Sequence, residues 1–410
     1  MVKMKVLIIS GQPPSPFSGA EIRLLNLLRH LAGNYDFTVI APICSKDDPK
    51  LSHADCYCRF IPAPIAAGMP RRSRLYWILN AWYQVLLTRE PKLVADYAFP
   101  PVHSAVDKLV KSDKFDIVQI QQFYMAQYLP DRPNCPTILD VDNLWSKLSR
   151  RLVEISPERR LTRRIQAVID QHKVYAYEKS ALKKFDACLA VCHEDETYIR
   201  KLAPRTITAI VPNGVDTTYY VPQFGVGGER TILFTGAMAW SPNIDAVKFL
   251  VSDILPIVRQ YDPSVTLQIV GRNPTSDVRE LAQAPWITVT GFVEDIRPYL
   301  AASTVYVVPL RAGAGTRLKI LEALAMGKAV VSTSLGAEGL EVTDGKNILI
   351  ADEPGEIAAQ IIALLRNQSL REELGRNGRQ LVESHYDWSA IASKLGAVYS
   401  AVRLQKGGAV

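Results

Sequence analysis

Short β-branched runs alternate with amphipathic stretches along this chain, stop, and then begin again. Val6–Ile9 is followed by the helical pattern Glu21–Leu31, then by Phe37–Ile40 and Asp116–Ile120. Such alternation is the signature of βα units building a parallel sheet. The series breaks at Val211–Asp216 and on through Pro222 and Gly225–Gly228, a stretch of turn formers without periodicity. It restarts with Thr231–Phe234, Val265–Val270, Ile287–Val289, Val305–Val308 and Ala329–Ser332, with helical stretches between them. A chain of 410 residues exceeds the roughly 250–300 residues at which single cores stop growing.

The expected fold class is therefore α/β, with two doubly wound Rossmann-like domains. Residues 1–211 form the first, 212–229 a linker and 230–385 the second. Residues 386–410 carry apolar side chains at helical spacing (Ile391, Leu395, Val398, Val402), and this helix is expected to cross back to the first domain. Ligands of such sheets bind beyond the carboxyl ends of the strands, so the chemistry is expected at a crevice shared by the two sheets.

Composition narrows the function classes. Hydrophobic residues make up 48% and charged ones 22%, which excludes a disordered chain. The six cysteines, Cys44, Cys56, Cys58, Cys135, Cys188 and Cys192, lack paired zinc spacing and read as buried free thiols, suited to a reducing cytoplasm. The apolar run at Val6–Ile9 is too short for a signal-peptide core and leads into a Gly/Pro loop without a cleavage site. No window approaches the about 20 apolar residues of a spanning helix. A net charge of +7 favours anionic partners, but the basic clusters lack the spacing of a nucleic-acid motif, and no nucleic-acid partner is expected.

The stretch richest in chemistry is Gly313–Gly327, which opens with glycines after Pro309 and continues as a helix. Glycines let a backbone approach a ligand, and a helix N-terminus offers free N–H groups and positive potential to a phosphate. Arg317 and Lys319 place positive charge in the first turn, which the helix dipole disfavours unless an anion lies nearby. Glu322 reads either as a solvated or capping carboxylate or as an acceptor for paired ribose hydroxyls.

Gly315–Gly327, Ala329–Thr333 and Gly336–Leu340 together resemble the donor-binding block of the retaining family-four GT-B glycosyltransferases. Val211–Asp216 is similar to the family's interdomain signature, and Gly19 matches its N-terminal glycine turn. The resemblance runs through nearly the whole chain and is weakest between about residues 45 and 130, where the acceptor is expected to dock. It implies a nucleotide-diphosphate-sugar donor and a sugar or lipid-linked acceptor, with transfer in retention during polysaccharide or cell-envelope glycan synthesis. The implied donor-binding residues are Gly19, Gly236, Gly315, Thr316, Arg317, Lys319 and Glu322, with Glu322 as the second carboxylate of the E-x7-E element, on the ribose. The chain departs from the family at Ala314, where the first carboxylate would stand, and at Gly236–Asn243, which lacks the usual Arg and Lys; Arg317 and Lys319 are expected to compensate on the diphosphate.

Asp140 and Asp142 follow the Thr137–Leu139 strand and are the candidate catalytic residues, as acceptor-positioning or electrostatic groups; loop capping by Asp140, Asp142 and Asn143 is the alternative. A retaining transfer can use the leaving phosphate to take the proton. With Arg317, Lys319 and helix N–H groups to neutralise that phosphate, no metal or other cofactor is expected. Asn213 and Gly214 read as a hinge turn, while His193 and Glu194 are left without a role. Arg71, Arg72 and Arg74 beside Tyr76, Trp77, Trp82 and Tyr83, extended by the arginine pairs at 150–151, 159–160 and 163–164, suit either a solvated helical face or an anionic bilayer. The expected location is cytoplasmic, with peripheral contact on the inner face of the membrane. Two other readings of the chain are a non-catalytic nucleotide-sugar-binding or scaffold subunit and a sugar-nucleotide epimerase.

Overall fold

The computed structural model describes residues 3–45, 50–65, 88–131, 133–155, 161–223 and 230–407. The chain divides into two compact units, Met1–Pro212 together with Trp388–Val410, and Asn213–Asp387.

The first unit holds a seven-stranded sheet of order β3-β2-β1-β4-β5-β6-β7. Its strands are β1 (Met4–Ile9), β2 (Tyr35–Ile43), β3 (Arg59–Pro64), β4 (Ile117–Gln121), β5 (Thr137–Val141), β6 (Ala187–Ala190) and β7 (Ile207–Ile210). Every pairing is parallel. Val6, Leu7, Ile8 and Ile9 are all buried, the unbroken apolar run of a strand covered on both faces. The strand order reverses between β1 and β4, so the loops after those strands flank the ligand-binding switch point.

The second unit repeats the plan with six parallel strands, in the order β10-β9-β8-β11-β12-β13. These are β8 (Thr231–Thr235), β9 (Thr266–Val270), β10 (Ile287–Val289), β11 (Val305–Val308), β12 (Val330–Ser332) and β13 (Leu349–Ile350). Its switch point lies between β8 and β11, beside Gly236 and the glycine loop that begins after Pro309.

The helix Trp388–Gly407 belongs to the first unit and packs on the helix Gly19–Leu31. The Tyr399 hydroxyl donates to Gln119 Oε1 of β4 at 2.6 Å, and Tyr35 donates to the Gly396 carbonyl at 3.1 Å. The inward face is Trp388, Ile391, Leu395, Tyr399 and Val402. Val398 is only half-buried, because the four-residue step from Leu395 places Tyr399 on that face instead.

The stretch expected to be a linker from residue 212 is anchored over its described part. Val215 N–H donates to the Tyr386 carbonyl at 2.8 Å, and Val215 bridges to Asp387, so residues from Asn213 onward are built into the second unit. None of the six cysteines is in a disulfide, but Cys44 and Cys56 are exposed, contrary to the expectation of buried thiols. Cys188 and Cys192 are buried.

Among the described residues, no helix is long and apolar enough to cross a membrane. The basic and aromatic residues at 71–83 and the pair at 159–160 lie outside the described residues.

Candidate functional site

In the second unit the loop 309–317 and the helix Leu318–Ala325 follow β11. Gly315 has φ +69°, a left-handed conformation that favours glycine, and a Cβ at Gly313 would collide with the Arg317 guanidinium. The loop is therefore wrapped around Arg317. That side chain is buried, and its Nη1 donates to the carbonyls of Ala314, at 2.7 Å, and of Gly315. Thr316 is also buried, and its Oγ1 accepts from Asn213 Nδ2 at 2.8 Å. Asn213, read as a turn residue, thus pins the glycine loop as well.

Lys319 reaches from the first turn of this helix towards β8. Its Nζ lies 4.3 Å from the centre of the Phe234 ring and donates to Asn243 Oδ1 at 2.8 Å. Burial, reinforced by the nearby Arg317 charge and opposed by Glu322, lowers its pKa to about 7. Gly236 lies under both partners: a Cβ there would stand 2.7 Å from Asn243 Nδ2 and 2.8 Å from Lys319 Nζ. One turn on, Glu322 accepts from the Tyr220 hydroxyl at 3.2 Å. Its carboxyl is pushed above the usual range by burial, with the Tyr220 bond and Lys319 acting the other way. Gly236, Gly315, Thr316, Arg317, Lys319 and Glu322 therefore gather on one side of the second sheet, at its switch point.

Gly19, the remaining donor-binding candidate, lies in the first unit. It is the first residue of its helix.

Asp140 and Asp142 lie at the carboxyl end of β5 in very different surroundings. Asp140 is fully buried and forms a two-pronged ion pair with Arg23, Nε to Oδ2 and Nη2 to Oδ1, both at 3.0 Å. Arg23 also donates to the Pro212 carbonyl at 2.8 Å. Asp142 is buried, and Gln122 Nε2 donates to its Oδ2 at 3.0 Å, while Oδ1 has no partner among the described residues. Burial, followed by the Asp140 charge, raises its pKa to about 6. Gln122 sits at φ +71°, a backbone state uncommon outside glycine, and accepts from the Tyr124 hydroxyl. His193 and Glu194 open the helix His193–Leu202 and are exposed, whereas the next residue, Asp195, is buried against Lys147 at 2.8 Å.

Among the described residues, no group of three or more His, Cys, Asp or Glu side chains is placed to hold a metal ion. Sequence reasoning missed Tyr220, Asn243, Gln122 and Arg23. None of the four carried a local signal: Asn243, for instance, is one polar residue in the first turn of the helix Ser241–Phe249.

Residues 17–219 match the family described as Glycosyltransferase Family 4, and residues 229–367 match Glycosyl transferases group 1. The chain belongs to the family-four glycosyltransferases of GT-B fold. It is 32% identical over 206 residues to the phosphatidyl-myo-inositol mannosyltransferase of Mycobacterium tuberculosis, a match covering 47% of this chain and 53% of that protein. The chain thus spans about half the length of the first curated relatives it matches. Among solved structures, sucrose-phosphate synthase from Thermosynechococcus elongatus superposes with a TM-score of 0.73 at 19% identity, covering 98% of this chain and 99% of that one. Anabaena Alr3699/HepE, solved in complex with UDP-glucose, gives 0.68 at 16% identity, covering 97% and 100%. At these identities the structural likeness speaks to the fold.

Proposed function

We propose that the chain transfers a sugar, with retention, from a nucleotide-diphosphate donor to a sugar or lipid-linked acceptor in the synthesis of envelope or other polysaccharide. The observation that carries this reading is the cluster at the second switch point, where the helix start brings Lys319 against the Gly236 loop, with Arg317 in the glycine loop beside it and Glu322 one turn away. That grouping suits a diphosphate on the two cations and free N–H groups, and a ribose diol on Glu322, whose carboxylate Tyr220 orients. Charge preorganised on the departing diphosphate is the effect expected to dominate such a reaction, and it dispenses with a metal ion.

In the first unit, Asp142 is the better acceptor-positioning candidate, since one of its oxygens is uncommitted; Asp140 serves to hold Arg23. The relative named a phosphatidyl-myo-inositol mannosyltransferase supports a lipid-linked acceptor, and the proposed location is cytoplasmic with peripheral contact on the inner face of a membrane. The Anabaena protein bound to UDP-glucose supports a nucleotide-sugar donor.

A non-catalytic donor-binding subunit is the second reading. It draws on Ala314, which leaves the sugar end of the site without the family carboxylate, and on the commitment of Asp140 to Arg23. Incubation with UDP-, GDP- and ADP-sugars and glycolipid acceptors, with excess chelator present, separates the two readings. The transferase reading predicts a product with the donor's anomeric configuration by NMR and no loss on chelation. Donor binding without transfer to any acceptor supports the subunit.

A further inference from the structure

Lys319 needs an explanation beyond its charge, because a long side chain on the first turn of a helix has many rotamers and must be held if it is to meet a phosphate. The holding group is Asn243. Its Nδ2 donates to the Ala237 carbonyl at 3.0 Å, and its backbone N–H donates to the Trp240 carbonyl at 2.9 Å. The residue is 6% exposed. With Nδ2 committed to a carbonyl, Oδ1 must face the other way, and Lys319 Nζ lies there at 2.8 Å. Turning the amide over would set its NH2 against the ammonium and a carbonyl oxygen against a carbonyl oxygen, so both contacts fix one orientation. The Gly236 loop beneath is itself clamped: Gly236 N–H donates to Val270 O at 3.0 Å, and a Cβ at Gly271 would collide with the Gly236 carbonyl.

We propose that Asn243 is the positioning residue for the diphosphate-binding cation, holding the Lys319 ammonium above the Gly236 backbone so that donor affinity depends on this one amide-to-ammonium bond. The inference rests on the donor-site reading above. The charged groups acting on Lys319 are Arg317 and Glu322 on its own segment; Glu322 in turn meets the Tyr220 hydroxyl and the field of Tyr306 of β11, whose hydroxyl is 2.6 Å from Thr235 Oγ1 of β8. With an ammonium that titrates near neutrality, affinity for a diphosphate should fall as pH rises above about 7, by about one proton's worth per pH unit. Removing the acceptor disfavours the charged form and moves that fall to lower pH. A carboxylate in its place favours the charged form and moves it to higher pH.

The test is calorimetric titration of the full chain with UDP, GDP and ADP between pH 6.5 and 9, the tightest of the three being carried into the variants Lys319→Met, Asn243→Ala and Asn243→Asp. The expected result is affinity weakened about tenfold in Lys319→Met, with the alkaline fall abolished. Asn243→Ala should be weakened about tenfold, the scale of a lost charge-assisted hydrogen bond. Its fall should shift to lower pH, and that of Asn243→Asp to higher pH. Wild-type binding with a weakened Lys319→Met but unshifted pH profiles in both Asn243 variants overturns the positioning role. That holds even where Asn243→Ala melts at lower temperature, because a purely structural asparagine would not move the profile. Failure of the wild type to bind any of the three overturns the donor-site reading instead.

Discussion

Arg23 and Asp140 share two hydrogen bonds in a site closed to solvent, and removal of either strands a buried charge. Such a loss typically costs about 3–5 kcal/mol, while an apolar replacement of both is far better tolerated. Arg23→Ala and Asp140→Ala should each lower urea-unfolding stability on that scale, with Arg23→Met/Asp140→Leu recovering most of it; full stability in Asp140→Ala would refute the structural role. Asp142 behaves differently, because its pKa is about 6 in the fold against roughly 3.9 in an unfolded chain. Between these values the native state binds the extra proton, so its contribution is present at low pH and is lost as pH rises through about 6. Relative to the wild type, Asp142→Asn should therefore gain stability on the order of 2 kcal/mol between pH 4 and pH 7, read from melting curves across that range. The donor-side candidates could be read from the sequence because glycines, a helix start and paired cations are local signals. Tyr220 and Asn243 could not, since they act on Glu322 and Lys319 from 102 and 76 residues away, and no local pattern records such a pairing. Arg23 was hidden for the same reason, lying on an otherwise ordinary amphipathic helix.

Among the elements, the central strands were legible as β-branched runs, with Val305–Val308 coinciding with β11, and so was one border strand, Ile287–Val289, which is β10. The strands that escaped are the other three edge strands. β3, with the sequence RFIPAP, contains two prolines, which argue against a central strand but are tolerated at the border of a sheet; β7 and β13 close their sheets at the opposite borders. The glycine contacts allow a graded prediction. Gly291 has φ +76° with open space around it, so Gly291→Ala should cost only the left-handed penalty of about 1–2 kcal/mol. Gly271→Ala drives a methyl into the Gly236 carbonyl and should cost more than that, while also displacing the loop under Lys319. Denaturant melts and diphosphate affinity measured on both variants would show whether the two effects part in this way.

For the whole molecule, the helix Trp388–Gly407 completes the first unit although it follows the second in sequence. Trp388, Ile391, Leu395 and Tyr399 are all buried, each contributing about 1.5–3 kcal/mol by leaving water. A chain ending at Asp387 should therefore lose cooperative folding of the first unit, seen as loss of amide-exchange protection in β1 and β4, while the second unit keeps its protection. Donor binding, by contrast, is proposed for the second unit. The most direct test of that central claim is thermal stabilisation of the intact chain by a panel of nucleoside diphosphates and their sugars without added metal, repeated on Glu322→Ala and Arg317→Ala. The account predicts that one nucleotide family stabilises the wild type, by about 2.7 kcal/mol at a ligand concentration one hundred times Kd, and that both variants lose the effect. Equal stabilisation of wild type and Glu322→Ala, or none by any member of the panel, would contradict it.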